Sequence, residues 1–195
     1  MLKLIALCCL ATALAAVETG TPAPGFSLTS ATGATVSLAE HAGKHVVLEW
    51  INVDCPFVKK HYGSGNIPAL QKRYTEQGVV WLSICSSAPG KQGNLNGEAL
   101  TTRLAADGWA GSAYLIDANG TVGKAYDAKT TPHIYIINPA GTLIYQGGID
   151  SIRSADPADI PKAVDYVSTT LDAALAGKPV PTASSKPYGC SVKYP

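Results

Sequence analysis

Two apolar segments that both have the composition of buried strands constrain the fold most. Residues 45–52 (HVVLEWIN) and 78–85 (GVVWLSIC) are apolar and largely β-branched, which is typical of strands buried in the middle of a sheet. Residues 55–77 between them have a helical composition, but residues 63–68 (GSGNIP) interrupt it. We therefore expect a short helix, a break and a second helix. Buried strands that alternate with helices indicate an α/β domain in layers.

The remaining chain continues this alternation. The sequence predicts a hairpin around Gly33, a helix ending at Gly108, a strand at 112–117, a short helix at 121–127, a hairpin within 130–149 and a helix over 157–177. The apolar face of the last helix would comprise Ile160, Val164, Val167, Leu171 and Leu175. The predicted order is β–α–β–α–β–α–β–β–α, with one domain over residues 16–178 and a Pro/Ser-rich tail over residues 179–195.

The N-terminus reads as a targeting segment. Residues 1–15 (MLKLIALCCLATALA) contain one lysine, an apolar stretch and a small-x-small end, which predicts a secretory signal peptide cleaved near Ala15. A lipoprotein anchored through Cys8 or Cys9 is the alternative, although neither cysteine follows a small residue. The apolar stretch is too short for a membrane-spanning helix, which needs about 20 residues. We expect a periplasmic or secreted protein with no membrane span.

Composition excludes one class of partner. The chain has 195 residues, 46% of them apolar and 15% charged, with a net charge of +1. This is typical of a globular domain with a sizeable core. No basic run interleaved with aromatic residues is present, so we expect no nucleic-acid partner.

One cysteine lies at a strand-to-helix corner. Cys55 follows Asp54, a good N-cap residue, and precedes Pro56, which the first helical turn tolerates. The sulfur should then lie at a helix N-terminus, where the backbone N–H groups and the helix dipole lower a thiol pKa. A lone buried cysteine is the alternative. The position three residues later is Val58, so no local partner thiol is available.

Several motifs together resemble a known family. The segment VVLEWINVDCP resembles the active-site segment of the thioredoxin superfamily, and Thr131-Pro132 before a strand resembles its cis-proline. The wider pattern CPFVKKHY, TTPHIYIINPAG, GGID and KPYGCSVKY is similar to bacterial exported redoxins of the alkyl hydroperoxide reductase/thiol-specific antioxidant group. The resemblance implies a thioredoxin-like fold with a central mixed sheet and an inserted βα unit.

The resemblance also implies roles for particular residues. Glu49 matches the buried acid of thioredoxins and would move protons for the thiols, with a solvent-exposed strand residue as the alternative. Asn52 occupies the position of the peroxiredoxin threonine and could donate a hydrogen bond toward the Cys55 sulfur. The peroxidase arginine would be Arg103 or Arg153.

The partner of Cys55 is sought among the cysteines after the signal segment, Cys85 and Cys190. Cys85 ends a buried strand and is interpreted as a core residue, with a back-up resolving role as the alternative. Cys190 lies on the tail, which we expect to be flexible enough to bring it to Cys55. We therefore predict a Cys55–Cys190 disulfide in the oxidised protein.

Three functions remain open at this stage. The first is peroxide reduction by a peroxiredoxin-like enzyme with an external thiol reductant. The second is thiol–disulfide exchange on a protein disulfide. The third is a non-catalytic binding module with a structural disulfide. We expect no cofactor and no metal, because the four histidines show no ligand spacing. Of these, His61 is expected on the solvent side of the first helix.

Overall fold

The computed structural model describes residues 17–195, so the predicted signal peptide lies outside the described residues and stays a prediction. The strands are β1 Ser27–Ser30, β2 Thr35–Ser37, β3 Val46–Trp50, β4 Val80–Cys85, β5 Ala113–Ile116, β6 Thr130–Thr131, β7 His133–Ile137, β8 Leu143–Gly147 and β9 Cys190–Ser191. The α-helices are α1 Pro56–Gly63, α2 Asn66–Thr75, α3 Gly97–Ala106, α4 Thr121–Ala125 and α5 Tyr166–Leu175.

Seven strands form one mixed sheet in the order β2-β1-β5-β4-β3-β7-β8. Strand β3 is parallel to β4 and antiparallel to β7, with Glu49 opposite Ser83 on one side and Ile134 on the other. Strand β4 is parallel to β5. The unit β5–α4 lies between the two halves of a thioredoxin-like core. The predicted α/β fold with a mixed sheet and an inserted βα unit is confirmed.

The sheet has an apolar core on each face, which explains the continuous apolar strands. Val47 and Ile51 face helices α1, α2, α3 and α5, whereas Leu48 and Trp50 face α4 and the N-terminal segment. All four side chains are at most 1% exposed. Because both faces of β3 are buried, alternation of polar and apolar residues is absent from its sequence. Glu49 lies on the same face as Val47 and Ile51.

The break predicted between the first two helices is confirmed. Helix α1 ends at Gly63, and α2 begins after Gly65, whose φ of 75° is a left-handed conformation that favours glycine. This glycine turns the chain, so α2 packs its own apolar residues Ile67 and Leu70 into the core.

The prediction of one long helix over 157–177 is wrong. Residues Pro157–Lys162 form a 3₁₀ helix, and α5 begins only at Tyr166, where the Asp165 carboxylate accepts hydrogen bonds from two backbone N–H groups. Pro161 lacks the N–H that a continuous helix requires. As a result, Val164 is 53% exposed, whereas Val167 and Leu171 are buried.

The tail is seated against the domain rather than free, contrary to the expectation of flexibility. Its Ser184 forms a bridge with Gln146, and strand β9 pairs with β6 in a separate two-stranded sheet. Beyond β9, the N–H of Ala88 donates to the carbonyl of Lys193, and the Tyr194 hydroxyl donates to the carbonyl of Ala128. Hydrogen bonds of this kind, most of them between backbone groups, leave no pattern of apolar side chains in the sequence, which is why a Pro/Ser-rich sequence suggested a mobile segment.

Candidate functional site

Cys55 lies where β3 is followed by α1. Cys55 is itself the N-cap residue of α1, with Pro56 at the first helical position, so the prediction of Asp54 as the N-cap is wrong by one residue. The loop that leads to it is closed by Asn52, whose Oδ1 accepts a hydrogen bond from the Asp54 N–H at 2.9 Å. The Cys55 side chain is completely buried. The predicted helix-terminal position of the sulfur is therefore correct.

The Thr131-Pro132 segment covers this sulfur. The peptide bond between Thr131 and Pro132 is cis, as predicted. The Cys55 thiol donates a hydrogen bond to the Thr131 carbonyl oxygen at 3.1 Å. The Thr131 hydroxyl is buried and forms no hydrogen bond within the described residues 17–195. The structure thus brings Cys55, Thr131 and Pro132 together.

The tail delivers Cys190 to the same place. In the β6–β9 pair, Cys190 is directly opposite Thr131 and Ser191 is opposite Thr130. Gly189 makes this approach possible, because a Cβ atom there would lie 2.0 Å from the Thr131 carbonyl oxygen. The tail therefore contacts the backbone of the Thr131-Pro132 segment, and Cys190 lies beside Cys55.

The two sulfur atoms differ in acidity. Burial would raise the pKa of Cys55, but hydrogen bonds, chiefly from the Cys190 side chain and from the backbone N–H groups of Val58 and Cys190, outweigh burial, so the pKa lies below its usual value. The thiol's hydrogen bond to the Thr131 carbonyl favours the protonated form and opposes these donors. Burial, followed by the hydrogen bond and the charge of Cys55, raises the pKa of Cys190 to about 11. Cys55 is thus the more acidic of the two thiols.

All three cysteines of the described chain are free thiols in this structure. The Cys55–Cys190 disulfide therefore remains a prediction. Cys85 is 4% exposed and packs in the core, where its thiol lies 3.4 Å from the carbonyl oxygen of Gly93. The prediction that Cys85 is a core residue is confirmed.

Glu49 is fully buried and surrounded by donors. The Tyr62 hydroxyl contacts both carboxylate oxygens, at 3.0 and 3.1 Å, and Oε2 also accepts from Gln71, Trp81 and Ser83 at 2.8–3.2 Å. Burial raises the pKa of Glu49 above its usual value, although these hydrogen bonds partly oppose the shift. The alternative of an exposed strand residue is wrong. Neither cysteine is among its hydrogen-bond partners, so direct proton transfer to the thiols stays a prediction.

Asn52 does not donate to the sulfur as expected. Its Nδ2 donates instead to the backbone carbonyl and the side-chain oxygen of Gln92, at 3.2 and 3.3 Å. Gly93 packs against the same amide, since a Cβ atom there would lie 2.2 Å from Asn52 Oδ1. The role of Asn52 is therefore to fix the loop before Cys55 against the loop that contains Gln92. The match of Asn52 to the position of the peroxiredoxin threonine gave no indication that it pairs with Gln92, 40 residues away.

Arg103 contacts the two residues that precede Cys55, whereas Arg153 is exposed to solvent. The Arg103 guanidinium donates to Asp54 Oδ1 at 3.1 Å, to Asp107 Oδ2 at 2.8 Å and to the carbonyl oxygen of Val53. It thus fixes the two residues that precede Cys55 and offsets the negative charge of Asp54. Its hydrogen bonds are directed at these groups and not at the sulfur.

The expectation for His61 is wrong, and it points to residues that sequence reasoning missed. His61 is completely buried on the inner side of α1, together with Lys60. Both contact Asp150, and His61 also contacts Tyr188 of the tail. The motifs CPFVKKHY, GGID and KPYGCSVKY contain all four residues, but nothing in them indicates that these side chains meet. Tertiary contacts decide the rest, since residues 60, 150 and 188 are far apart along the chain.

Two negative findings apply to the described part of the chain. Within residues 17–195, no group of three or more His, Cys, Asp or Glu side chains is arranged to hold a metal ion. Over the same range, no helix is both long and apolar enough to span a bilayer.

The fold and the site define a thioredoxin-like redoxin. The sequence matches the AhpC/TSA family over residues 19–146, more than half of its length, and the chain belongs to that family. The matched residues do not include the tail, which carries Cys190. Family membership supports a thioredoxin-like redox function and oxidoreductase activity.

Solved structures agree with this assignment. An uncharacterised conserved protein from Geobacillus kaustophilus is 32% identical, with a TM-score of 0.80 over 91% of this chain and 93% of its own. A hypothetical protein from Sinorhizobium meliloti is 28% identical, with a TM-score of 0.76 over 93% and 97%. The thioredoxin domain of a thiol-disulfide oxidoreductase from Bacteroides vulgatus shares the fold at 17% identity and a TM-score of 0.53, over 75% and 97%. A comparison with curated proteins gave no significant match.

Proposed function

We propose that this protein reduces peroxides outside the cytoplasm through a dithiol/disulfide cycle of Cys55 and Cys190. The observation that carries the proposal is the pairing of Cys190 with Thr131, the residue whose carbonyl oxygen accepts a hydrogen bond from the Cys55 thiol at 3.1 Å. The unequal pKa values of the two sulfurs suit a nucleophile and a resolving thiol. Complete burial of Cys55 favours a small oxidant over a protein disulfide.

The chemistry requires two steps at Cys55. Its thiolate attacks one oxygen of the peroxide, the O–O bond breaks, and the leaving oxygen takes a proton to become water or an alcohol. This leaves a sulfenic acid at Cys55. The Cys190 thiol then loses its proton and attacks the Cys55 sulfur, so an S–S bond forms and water departs. An external thiol reductant returns both cysteines to the thiol state.

Peroxide titration with cysteine variants tests the proposal. One equivalent of hydrogen peroxide should convert the reduced protein to a form that yields a Cys55–Cys190 linked peptide without reduction. Cys55→Ser should lower peroxide consumption to background. Cys190→Ser should stop at the sulfenic acid, which dimedone traps. Cys85→Ala is the control and should turn over normally. Full activity of Cys55→Ser, or a Cys55–Cys85 peptide, would refute the assignment.

Thiol–disulfide exchange is the second candidate, and the Arg103 contacts favour it. The guanidinium is directed at Val53, Asp54 and Asp107, and Asn52 at Gln92, so neither side chain donates to a peroxide at Cys55 in this arrangement. Insulin reduction with a dithiol reductant separates the candidates. Faster turnover of insulin than of peroxide would assign the protein to exchange.

The extracytoplasmic location rests on residues 1–15. Their apolar stretch and Ala13-Leu14-Ala15 end support export. N-terminal sequencing of protein isolated from the producing cells should find a start near Ala16. A lipidated cysteine at position 8 or 9, or a retained Met1, would contradict the proposal.

A further inference from the structure

A cluster of buried polar side chains lies next to the cysteine pair and has no part in the chemistry above. Lys60 and His61 come from α1, Asp150 follows β8, and Tyr188 belongs to the tail. Their exposed fractions are 2%, 0%, 5% and 6%. A charged lysine and a histidine are rarely buried in a small domain unless they are paired.

The cluster is connected through the Tyr188 hydroxyl. This hydroxyl donates to Asp150 Oδ1 at 2.7 Å and lies 3.1 Å from His61 Nε2. On the far side of the imidazole, the amide nitrogen of Asn66 lies 3.0 Å from Nδ1, so it donates there and leaves the proton on Nε2. His61 therefore donates to the Tyr188 oxygen, and Tyr188 donates to Asp150. Lys60 Nζ contacts the other oxygen of Asp150 at 3.4 Å.

The cluster joins the two segments that carry the cysteines. Lys60 and His61 lie in the helix that begins directly after Cys55, and Tyr188 precedes Cys190 by two residues. The Tyr188 ring also packs edge-on against Phe57 of α1, with ring centroids 5.8 Å apart. Tyr188 is thus the buried anchor on the N-terminal side of Cys190.

Loss of the phenolic oxygen would leave His61 Nε2 without its partner and remove one donor from Asp150. A buried polar group without a partner is unfavourable, so the cluster is complete only when the tail is seated. We propose that Tyr188 is a positioning residue for Cys190: its hydroxyl, held by Asp150 and His61, seats the tail and sets the effective concentration of the Cys190 thiol at Cys55. This proposal rests on the proposed Cys55–Cys190 cycle.

The test is the exchange equilibrium with glutathione. Oxidised glutathione takes two electrons from the protein dithiol, the Cys55–Cys190 bond forms, and two molecules of reduced glutathione are released. The equilibrium constant measures the effective concentration of one thiol at the other. Tyr188→Phe keeps the ring and its contact with Phe57 but removes the hydroxyl. We expect the constant to fall about tenfold, the effect of losing one charge-assisted hydrogen bond.

Tyr74→Phe is the matched control. The Tyr74 hydroxyl also donates to a carboxylate, Asp172 Oδ1 at 2.9 Å, but this pair joins α2 to α5 away from the tail. Its equilibrium constant should equal that of the wild type. A second variant, Asn66→Ala, removes the hydrogen bond that orients His61 without altering the tail, and it should lower the constant by a smaller factor. It also serves if Tyr188→Phe fails to fold.

The outcomes separate this inference from the proposed function. An unchanged constant in Tyr188→Phe, or an equal fall in Tyr188→Phe and Tyr74→Phe, overturns the positioning role while the cycle stands. If Tyr188→Phe fails to fold, an unchanged constant in Asn66→Ala overturns it in the same way. Failure of the wild type to form a Cys55–Cys190 bond at any glutathione ratio overturns the cycle itself.

Discussion

At the scale of single residues, the environment of a side chain decides its chemistry. Cys55 and Cys85 are both buried cysteines, yet only Cys55 lies at a helix N-terminus among several hydrogen-bond donors. Cys85 lies beside one carbonyl oxygen in the core. The contrast explains why one thiol is proposed as the nucleophile and the other is not.

Glu49 provides a residue-scale prediction about pH. Its pKa is raised in the folded protein because burial disfavours the carboxylate. Below the unfolded value of about 4.3, the carboxyl is protonated in both states. As pH rises above that value, the unfolded chain loses this proton first, so the wild type loses stability until pH passes the raised folded pKa. Glu49→Gln has no ionisable group at this position, so its stability does not carry this pH dependence.

The free energy of unfolding of wild type minus that of Glu49→Gln should therefore fall as pH rises from 4 to 7. Urea unfolding at several pH values measures it. Glu76→Gln, at an exposed position, controls for the amide substitution itself. A difference that stays constant, or that rises with pH, would show that the Glu49 carboxylate is stabilised in the folded state by its hydrogen bonds.

At the scale of elements, the short pair β6–β9 links the tail to the Thr131-Pro132 segment. Two residues on each strand form it, so side-chain packing contributes little and close backbone approach is decisive. Gly189 has φ = 137°, and its Cα faces the Thr131 carbonyl. A glycine is required there for conformation and for space.

Gly189→Ala should detach β9 from β6. The Cβ atom would clash with the Thr131 backbone, and a positive φ costs a non-glycine residue about 1–3 kcal/mol. We expect faster amide exchange over residues 184–194 of the reduced protein, measured by mass spectrometry. Gly177→Ala is the matched control, because Gly177 also has a positive φ (66°) but no atom within 4 Å of the added Cβ. Unchanged protection of the tail in Gly189→Ala would show that β9 tolerates the side chain.

At the scale of the whole molecule, the two cysteines connect distant parts of the chain. Cys55 follows β3, an interior strand of the sheet, and Cys190 lies near the C-terminus. The tail already pairs with the domain in the thiol state, so oxidation requires no change in the main sheet.

Oxidation should raise the melting temperature. A bond that closes a loop of about 136 residues restricts the unfolded chain and adds at most about 4–5 kcal/mol on the chain-entropy account. Calorimetry of the oxidised and reduced wild type measures the shift. Cys85→Ser should show the same increase, and Cys190→Ser should show none. An increase that persists in Cys190→Ser would assign the stabilising bond to another pair.

Local pattern was enough to predict the strands of the main sheet, the broken helix and the position of Cys55, but not strand β9 in the tail. Apolar continuity in β3 and β4 reflects burial on both faces, and Gly65 ends one helix through its own backbone conformation. These features depend on residues close in sequence. Pro161 is such a local signal too, because its missing N–H interrupts the helix that the apolar periodicity of residues 157–177 favours.

Tertiary structure alone decided the surroundings of the cysteines. The seat of the tail, the burial of Lys60 and His61, and the pairing of Asn52 with Gln92 all join residues that lie tens of positions apart. A polar side chain has the same sequence signature whether it contacts water or a distant partner. Which of the two it contacts is determined by the packing of the whole chain, since a buried polar group is stable only where that packing supplies its partner.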